Sequence, residues 1–276
     1  MTLALAYNIA VLPSVPIYKS LWRNIKVSSK NVRISVKLII YLLLFVVLWL
    51  ITEAIAMNPN TIIMFGVSIL SVMFIIKNMN LSRTDIFIGI LLGAMTVSYS
   101  VMTGLVTVIT YLGGISIFKN SNYKITLLKS KKRKDILKTV LLALFVGIGL
   151  GIINVYLGKF SNIIDLSFSF QWPLMALYAG VSEEIVFRFF FFAICVWITR
   201  DSILSRFEGF LCYLIIIIPH VLIHFDVTNL NLFAVIQMSI MFGLPFALMQ
   251  RKWDLTSAIG AHALVDLIRF IVFGWK

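Results

Sequence analysis

Apolar stretches of about 20 residues recur along almost the whole chain, separated by short segments rich in lysine and arginine. A helix of that length crosses roughly 30 Å of hydrocarbon. Lipid offers no partner for backbone N–H and C=O groups, so each segment must satisfy its own. The pattern predicts an all-α fold, a multi-pass transmembrane helical bundle of seven or eight spans. The clearest spans cover residues 38–56, 61–76, 139–157, 172–199, 209–225, 232–249 and 255–273. Residues 1–17 are apolar but broken by Pro13 and Pro16, too short to span, and read as interfacial. Asn58-Pro59-Asn60 reads as a tight turn. The run 86–118 is harder to assign. Its flanks, with Lys77 and Arg83 before it and the basic stretch 119–138 after it, both read as cytoplasmic. That demands an even number of crossings, yet the run is short for two ordinary helices. A long tilted helix, a re-entrant segment and a misplaced loop at 77–85 all stay open.

Composition supports the membrane reading. The 276 residues are 61% hydrophobic and only 13% charged, with a mean hydropathy of +1.01. No stretch is long enough for a separate soluble domain, so the chain reads as one membrane domain in two parts. Residues 1–134 supply N-terminal spans and basic cytoplasmic loops, and residues 135–276 form the chemistry-bearing core. The net charge of +13 sits mostly in short loops beside apolar runs. The positive-inside rule accounts for that placement without a nucleic-acid partner, leaving the lipid bilayer as the partner of the surface. Cys195 and Cys212 fall in apolar segments, so neither a disulfide framework nor a zinc-ribbon spacing is present. The N-terminus lacks a basic region ahead of its apolar part and does not read as a cleaved signal peptide.

Against this background, ionisable residues inside the spans stand out. Residues 180–188 read Gly-Val-Ser-Glu-Glu-Ile-Val-Phe-Arg within the apolar run 172–198. One charge at a helix centre costs roughly 2.5–3.5 kcal/mol on insertion scales, so Glu183, Glu184 and Arg188 need partners. Glu184 and Arg188 are i,i+4 neighbours that can pair, whereas Glu183 points about 100° away. The three histidines, His220, His224 and His262, all lie within or at the edge of the last apolar segments. His220 and His224 are i,i+4 on a helix carrying Pro219, and His262 and Asp266 are i,i+4 on the final span. Three helices thus present polar stripes that can meet in one water-filled cavity. A carboxylate in apolar surroundings is poised as a general base for water, and a histidine can orient that water. A second histidine with a carboxylic partner can donate hydrogen bonds to the oxyanion of a scissile carbonyl. A Ser/His/Asp set, a His-Glu-x-x-His helix and a Tyr-Asp with Gly-x-Gly-Asp pair are absent, which argues against rhomboid, site-2 and presenilin types.

Glu183-Glu184-x-x-x-Arg188, a histidine motif about 40 residues on, and His262-x-x-x-Asp266 resemble the CPBP family. That family comprises type II CAAX prenyl endopeptidases and bacterial Abi or bacteriocin-processing membrane proteases. The likeness covers residues 135–273. It implies that Glu183 and Glu184 supply the water-activating carboxylate, with Glu183 as base. It also implies that the middle histidine assists, and that His262 with Asp266 stabilises the oxyanion. Members are described both as metal-free glutamate proteases and as metalloproteases. The sequence requires no cofactor, and its His and Glu residues suit a divalent ion such as zinc. Two positions depart from the family pattern. The middle motif is usually Phe-x-x-x-His, but His220 stands four before His224 and Ile216 four before His220. The following polar turn and the spacing to His262 favour His224, with His220 the rival. The last motif usually ends in Asn, where Asp266 stands. An ionised aspartate repels an oxyanion, so Asp266 must be protonated, pair with a histidine, or act otherwise.

The expected function is an intramembrane endopeptidase of a prokaryotic-type cell membrane. Its substrate would be a membrane-associated peptide: a leader or signal peptide, a small secreted peptide, or a prenylated C-terminus. The alternatives are a non-catalytic immunity or regulatory protein on the same fold and a proton-coupled transporter.

Overall fold

The computed structural model describes residues 16–55, 58–160, 163–200 and 204–274, and among these no strand occurs. Among the described residues, nine helices make up the bundle. They are α1 (Pro16–Ala54), α2 (Pro59–Asn78), α3 (Arg83–Val97), α4 (Val101–Lys119) and α5 (Arg133–Gly158), then α6 to α9. Helix α6 is continuous through three segments, Gln171–Glu183, a π-helical Glu184–Phe189, and Phe190–Thr199. Helix α7 is Arg206–Leu222 and α9 is Leu255–Phe273. Helix α8 spans Leu232–Lys252 and contains a second π-helical turn, Ser239–Gly243. Six of these helices are long and apolar enough to cross a membrane by length and composition. Of the stretch 1–17 expected to lie at the interface, residues 1–15 lie outside the described residues, and Pro16 and Ile17 begin α1.

Helix boundaries follow local chemistry. Asn58 caps α2, accepting from the Thr61 N–H at 3.3 Å, and Pro59 occupies the first turn, where a missing N–H costs nothing. The expected turn at 58–60 is therefore a helix start. Ser82 with Asp85, and Ser205 with Glu208, form capping boxes that begin α3 and α7. Helix α1 begins well before residue 38, so the basic residues from Lys19 to Lys37 lie on the helix rather than in a loop ahead of it.

The run 86–118 is not one long tilted helix. It breaks at Ser98–Ser100 into α3 and α4, which pack as a hairpin. Gly93 and Gly104 permit the approach: a Cβ on Gly93 would stand 2.8 Å from the Gly104 carbonyl oxygen. The hairpin returns the chain to its basic end, and of its two helices α4 is long and apolar enough to cross a membrane. Asn78 joins α2 to α4 there, donating to Ser116 Oγ at 2.7 Å.

Helices α5, α6 and α8 pack on α9. Helices α5 and α9 run parallel, and a Cβ on Gly147 would sit 2.9 Å from the Ala261 carbonyl oxygen. Gly149 has no neighbour within 4 Å of such a Cβ. At the start of α9, fully buried Asp254 accepts from the Ser257 N–H at 2.8 Å and from Thr139 Oγ1 on α5 at 2.5 Å. The Leu255 and Thr256 N–H groups bond to the carbonyls of Thr126 and Leu127, tying the basic loop to α9.

Candidate active site

The polar residues of α6 and α9 meet because a glycine lets those two helices approach closely. A Cβ on Gly180 would lie 2.9 Å from the Ile259 carbonyl oxygen and 3.0 Å from the Ala263 nitrogen. This contact holds the Glu183–Glu184 turn against His262. The π-helical turn begins at Glu184 and contains Arg188, and such turns recur at functional sites.

Five side chains form one hydrogen-bonded network. Arg188 pairs with Glu184 through Nη1, and both side chains are fully buried. Arg188 Nη2 lies 2.9 Å from His220 Nδ1. Guanidinium only donates, so this His220 nitrogen is the acceptor and the neutral ring carries its proton on Nε2. That Nε2–H is 2.5 Å from Glu183 Oε2 and donates to it. His262 Nδ1 lies 2.8 Å from Glu184 Oε1 and donates there. The two adjacent glutamates are thus separated by role. Glu184 is held by Arg188 and His262, while Glu183 is partly exposed and held by His220.

His262 Nε2 stands 3.5 Å from Glu183 and 3.6 Å from Asp266, and its ring stacks on Phe246 with centroids 4.9 Å apart. Its position between Glu183, Glu184 and Asp266 gives it charge partners on three sides. Glu183, His220 and His262 also present one carboxylate oxygen and two imidazole nitrogens within 4.8 Å of one another. A Glu/His/His set is one that zinc accepts.

A cavity of about 480 Å³ opens above the network, walled by Tyr178, His224, Gln237, Phe246, Asp266 and Arg269, among others. His220 and His224 do not share a helix face as their spacing suggests. Helix α7 ends at Leu222, and the His224 N–H bonds to the Val221 carbonyl in the following turn. His224 is exposed on the cavity wall, its ring centroid 5.1 Å from that of His220, while His220 reaches Glu183. The structure therefore brings together Glu183, Glu184, Arg188, His220 and His262, with Asp266 beside them and His224 further out. The sequence pattern did not reveal the Arg188–His220 bond, the Phe246 stack, or Tyr178, Gln237 and Arg269 as cavity wall. Tyr178 is held by stacking on Tyr99 from the α3–α4 turn, with centroids 4.4 Å apart.

Comparison with known proteins agrees with the pattern of these residues. Residues 165–268 match the family model described as Rce1-like, Type II CAAX prenyl endopeptidase Rce1-like. No curated protein and no solved structure matches the chain. The match covers less than half of the chain but includes every side chain of the network. Residues 165–268 are thus similar to the type II CAAX prenyl endopeptidase family, in agreement with the CPBP resemblance of the sequence motifs.

Proposed function

We propose that this protein is a membrane-embedded endopeptidase in which Glu183 activates water for attack on a peptide carbonyl. The observation that carries the reading is the His220–Glu183 hydrogen bond at the floor of the cavity. Because Arg188 occupies His220 Nδ1, His220 serves as a donor that orients Glu183 rather than as the base. Glu183 takes a proton from water through its remaining oxygen, and the hydroxide adds to the scissile carbonyl. His262 stabilises the oxyanion through Nε2–H. It can donate there and to Glu184 together only as an imidazolium, which ionised Asp266 balances at 3.6 Å. Asp266 is then a charge partner of His262, not an oxyanion donor. The proton on Glu183 passes to the departing amine.

The Glu183, His220 and His262 donor set supports a second reading, in which these residues hold a divalent ion such as zinc. Such an ion would supply Lewis-acid polarisation and a more acidic water.

The test is cleavage of a quenched peptide panel by purified protein. Glu183→Gln should lower turnover by about 10²–10⁴-fold, the range of general-base catalysis, with the fold intact. Chelator should leave the wild type unaffected. Inhibition by chelator and rescue by added zinc would move these residues into a metal site. Full activity in Glu183→Gln would end the glutamate mechanism.

A further inference from the structure

The bundle has two unlike faces. Of the 24 lysines and arginines, all but Lys159, Arg188, Arg269 and Lys276 fall in the N-terminal part of α1 or at the α2–α3, α4–α5, α6–α7 and α8–α9 connections. These connections lie at one end of the bundle. Asn78 meets Ser116, Lys119 pairs with Asp85, Thr139 meets Asp254, and Lys77 lies over Trp197 near the end of α6. The positive-inside rule makes this the cytoplasmic face.

The cavity opens at the other end. Its walls come from the last turns of α5 (Asn154, Leu157, Gly158), the C-terminal half of α9 (Arg269, Phe270), the turn after α7 and the first turns of α8. His224 and Arg269 are exposed there, whereas Glu184, Arg188, Ile215, Ile216, Phe246 and Ala258 seal the floor toward the basic face. His262 lies roughly 17 Å along α9 from its outer end, taking 1.5 Å per residue. An extended segment borders the mouth, with the Asp165 N–H bonded to the Val272 carbonyl at 2.9 Å and the Ser167 N–H to the Ile271 carbonyl at 3.1 Å. It exposes Ile163, Leu166, Phe168 and Phe170.

We propose that the site receives its substrate from the face opposite the basic loops, so that the substrate is an extracytoplasmic peptide segment lying along the outer leaflet. The substrate half of this inference rests on the peptidase reading above, whereas the direction of opening does not. A cytosolic protein C-terminus would meet the sealed floor, while a secreted peptide or a signal-peptide remnant would meet the open mouth and its apolar rim.

Two readouts separate these halves. In the first, Gln237→Cys on the cavity wall and Lys129→Cys in the basic loop are labelled with a membrane-impermeant maleimide. Bacterial cells expressing each variant and inverted vesicles made from them are compared, with the wild type as background because Cys195 and Cys212 are buried. Position 237 should label in intact cells and position 129 only in inverted vesicles. Labelling of position 237 from the basic-loop side, or only in detergent, overturns the inference. In the second, an impermeant quenched peptide is offered to right-side-out and inverted vesicles. Cleavage should occur in the right-side-out preparation alone. Cleavage confined to inverted vesicles overturns the access route and leaves the peptidase reading standing. Absence of cleavage even in detergent removes the peptidase reading and with it the substrate class, while the labelling still decides the opening.

Discussion

Helices α2–α4 meet where their side chains are smallest, and the helices of the C-terminal part meet in addition where charge is most concentrated. In the N-terminal part, Gly113 lies against Ser71, Gly93 against Gly104, and the polar contacts are neutral. Ser116 Oγ donates to the Phe74 carbonyl at 2.9 Å, and Thr96 and Thr107 hydroxyls stand 3.4 Å apart. The Asp85–Lys119 ion pair there sits at the basic end, away from the interior. In the C-terminal part, two glutamates, an arginine and two histidines share one buried network. Neutral contacts through small residues suffice to hold helices together in lipid. Buried charge is retained in α5–α9 at a desolvation cost that small-residue packing avoids, as the proposed chemistry in that half requires.

The largest expected effect comes from breaking the network while leaving a charge behind. Arg188→Met strands Glu184 and removes the donor that fixes the His220 tautomer. It should cost about 3–5 kcal/mol of stability, the range for an uncompensated buried partner, and abolish hydrolysis. Adding Glu184→Gln should recover much of the stability without recovering activity. Thermal unfolding in detergent together with peptide cleavage reads both. If Arg188→Met were as stable as the wild type, the network would not be the buried charge pair described.

Substituting glycines sharpens the comparison by separating stability from activity. A Cβ on Gly113 would stand 2.7 Å from Ser71 Cα, and one on Gly180 2.9 Å from the Ile259 carbonyl oxygen. Both Gly113→Val and Gly180→Val should destabilise by about 1–3 kcal/mol through overpacking. Only Gly180→Val pushes α6 from α9 and so separates Glu183 from His262. Its activity per folded molecule should fall, while that of Gly113→Val should hold. Equal activity losses in the two variants would show that the N-terminal helices shape the site as directly as α6 does.

The contrast between the halves also explains what could be read from the sequence. Charges within apolar runs are conspicuous because lipid makes them costly, so Glu183, Glu184, Arg188, His262 and Asp266 stand out without a structure. The break at Ser98–Ser100 contains neither Gly nor Pro, so α3 and α4 read as one apolar run. Which middle histidine reaches Glu183 depends on where α7 stops, and the turn at Ile223 and His224 looks helical by pattern alone. The π-helical turn in α6 has no sequence signature, since its residues would serve equally in an α-helix. Only its contacts with Thr139 and Lys129 show that Asp254 fastens α5 and the basic loop to α9.

The smallest effect tests whether glycine content or glycine facing holds α5 to α9. Gly147, Gly149 and Gly151 form an evenly spaced series, but only the first and last touch α9. A Cβ on Gly151 would meet the Ile268 side chain at 2.5 Å, and one on Gly149 would meet nothing within 4 Å. Residues two apart on an α-helix point about 200° from one another, so Gly149 faces away from the contact that its neighbours make. Gly149→Ala should therefore raise stability by about 0.5–1 kcal/mol, the gain expected when an exposed helical glycine becomes alanine. Gly147→Ala places its methyl group 2.9 Å from the Ala261 carbonyl oxygen and should lower stability by more than the helix propensity returns. Thermal unfolding of the two variants in the same detergent should give shifts of opposite sign. Shifts of the same sign would mean that helix propensity, not close approach to α9, decides why glycine stands in this part of α5.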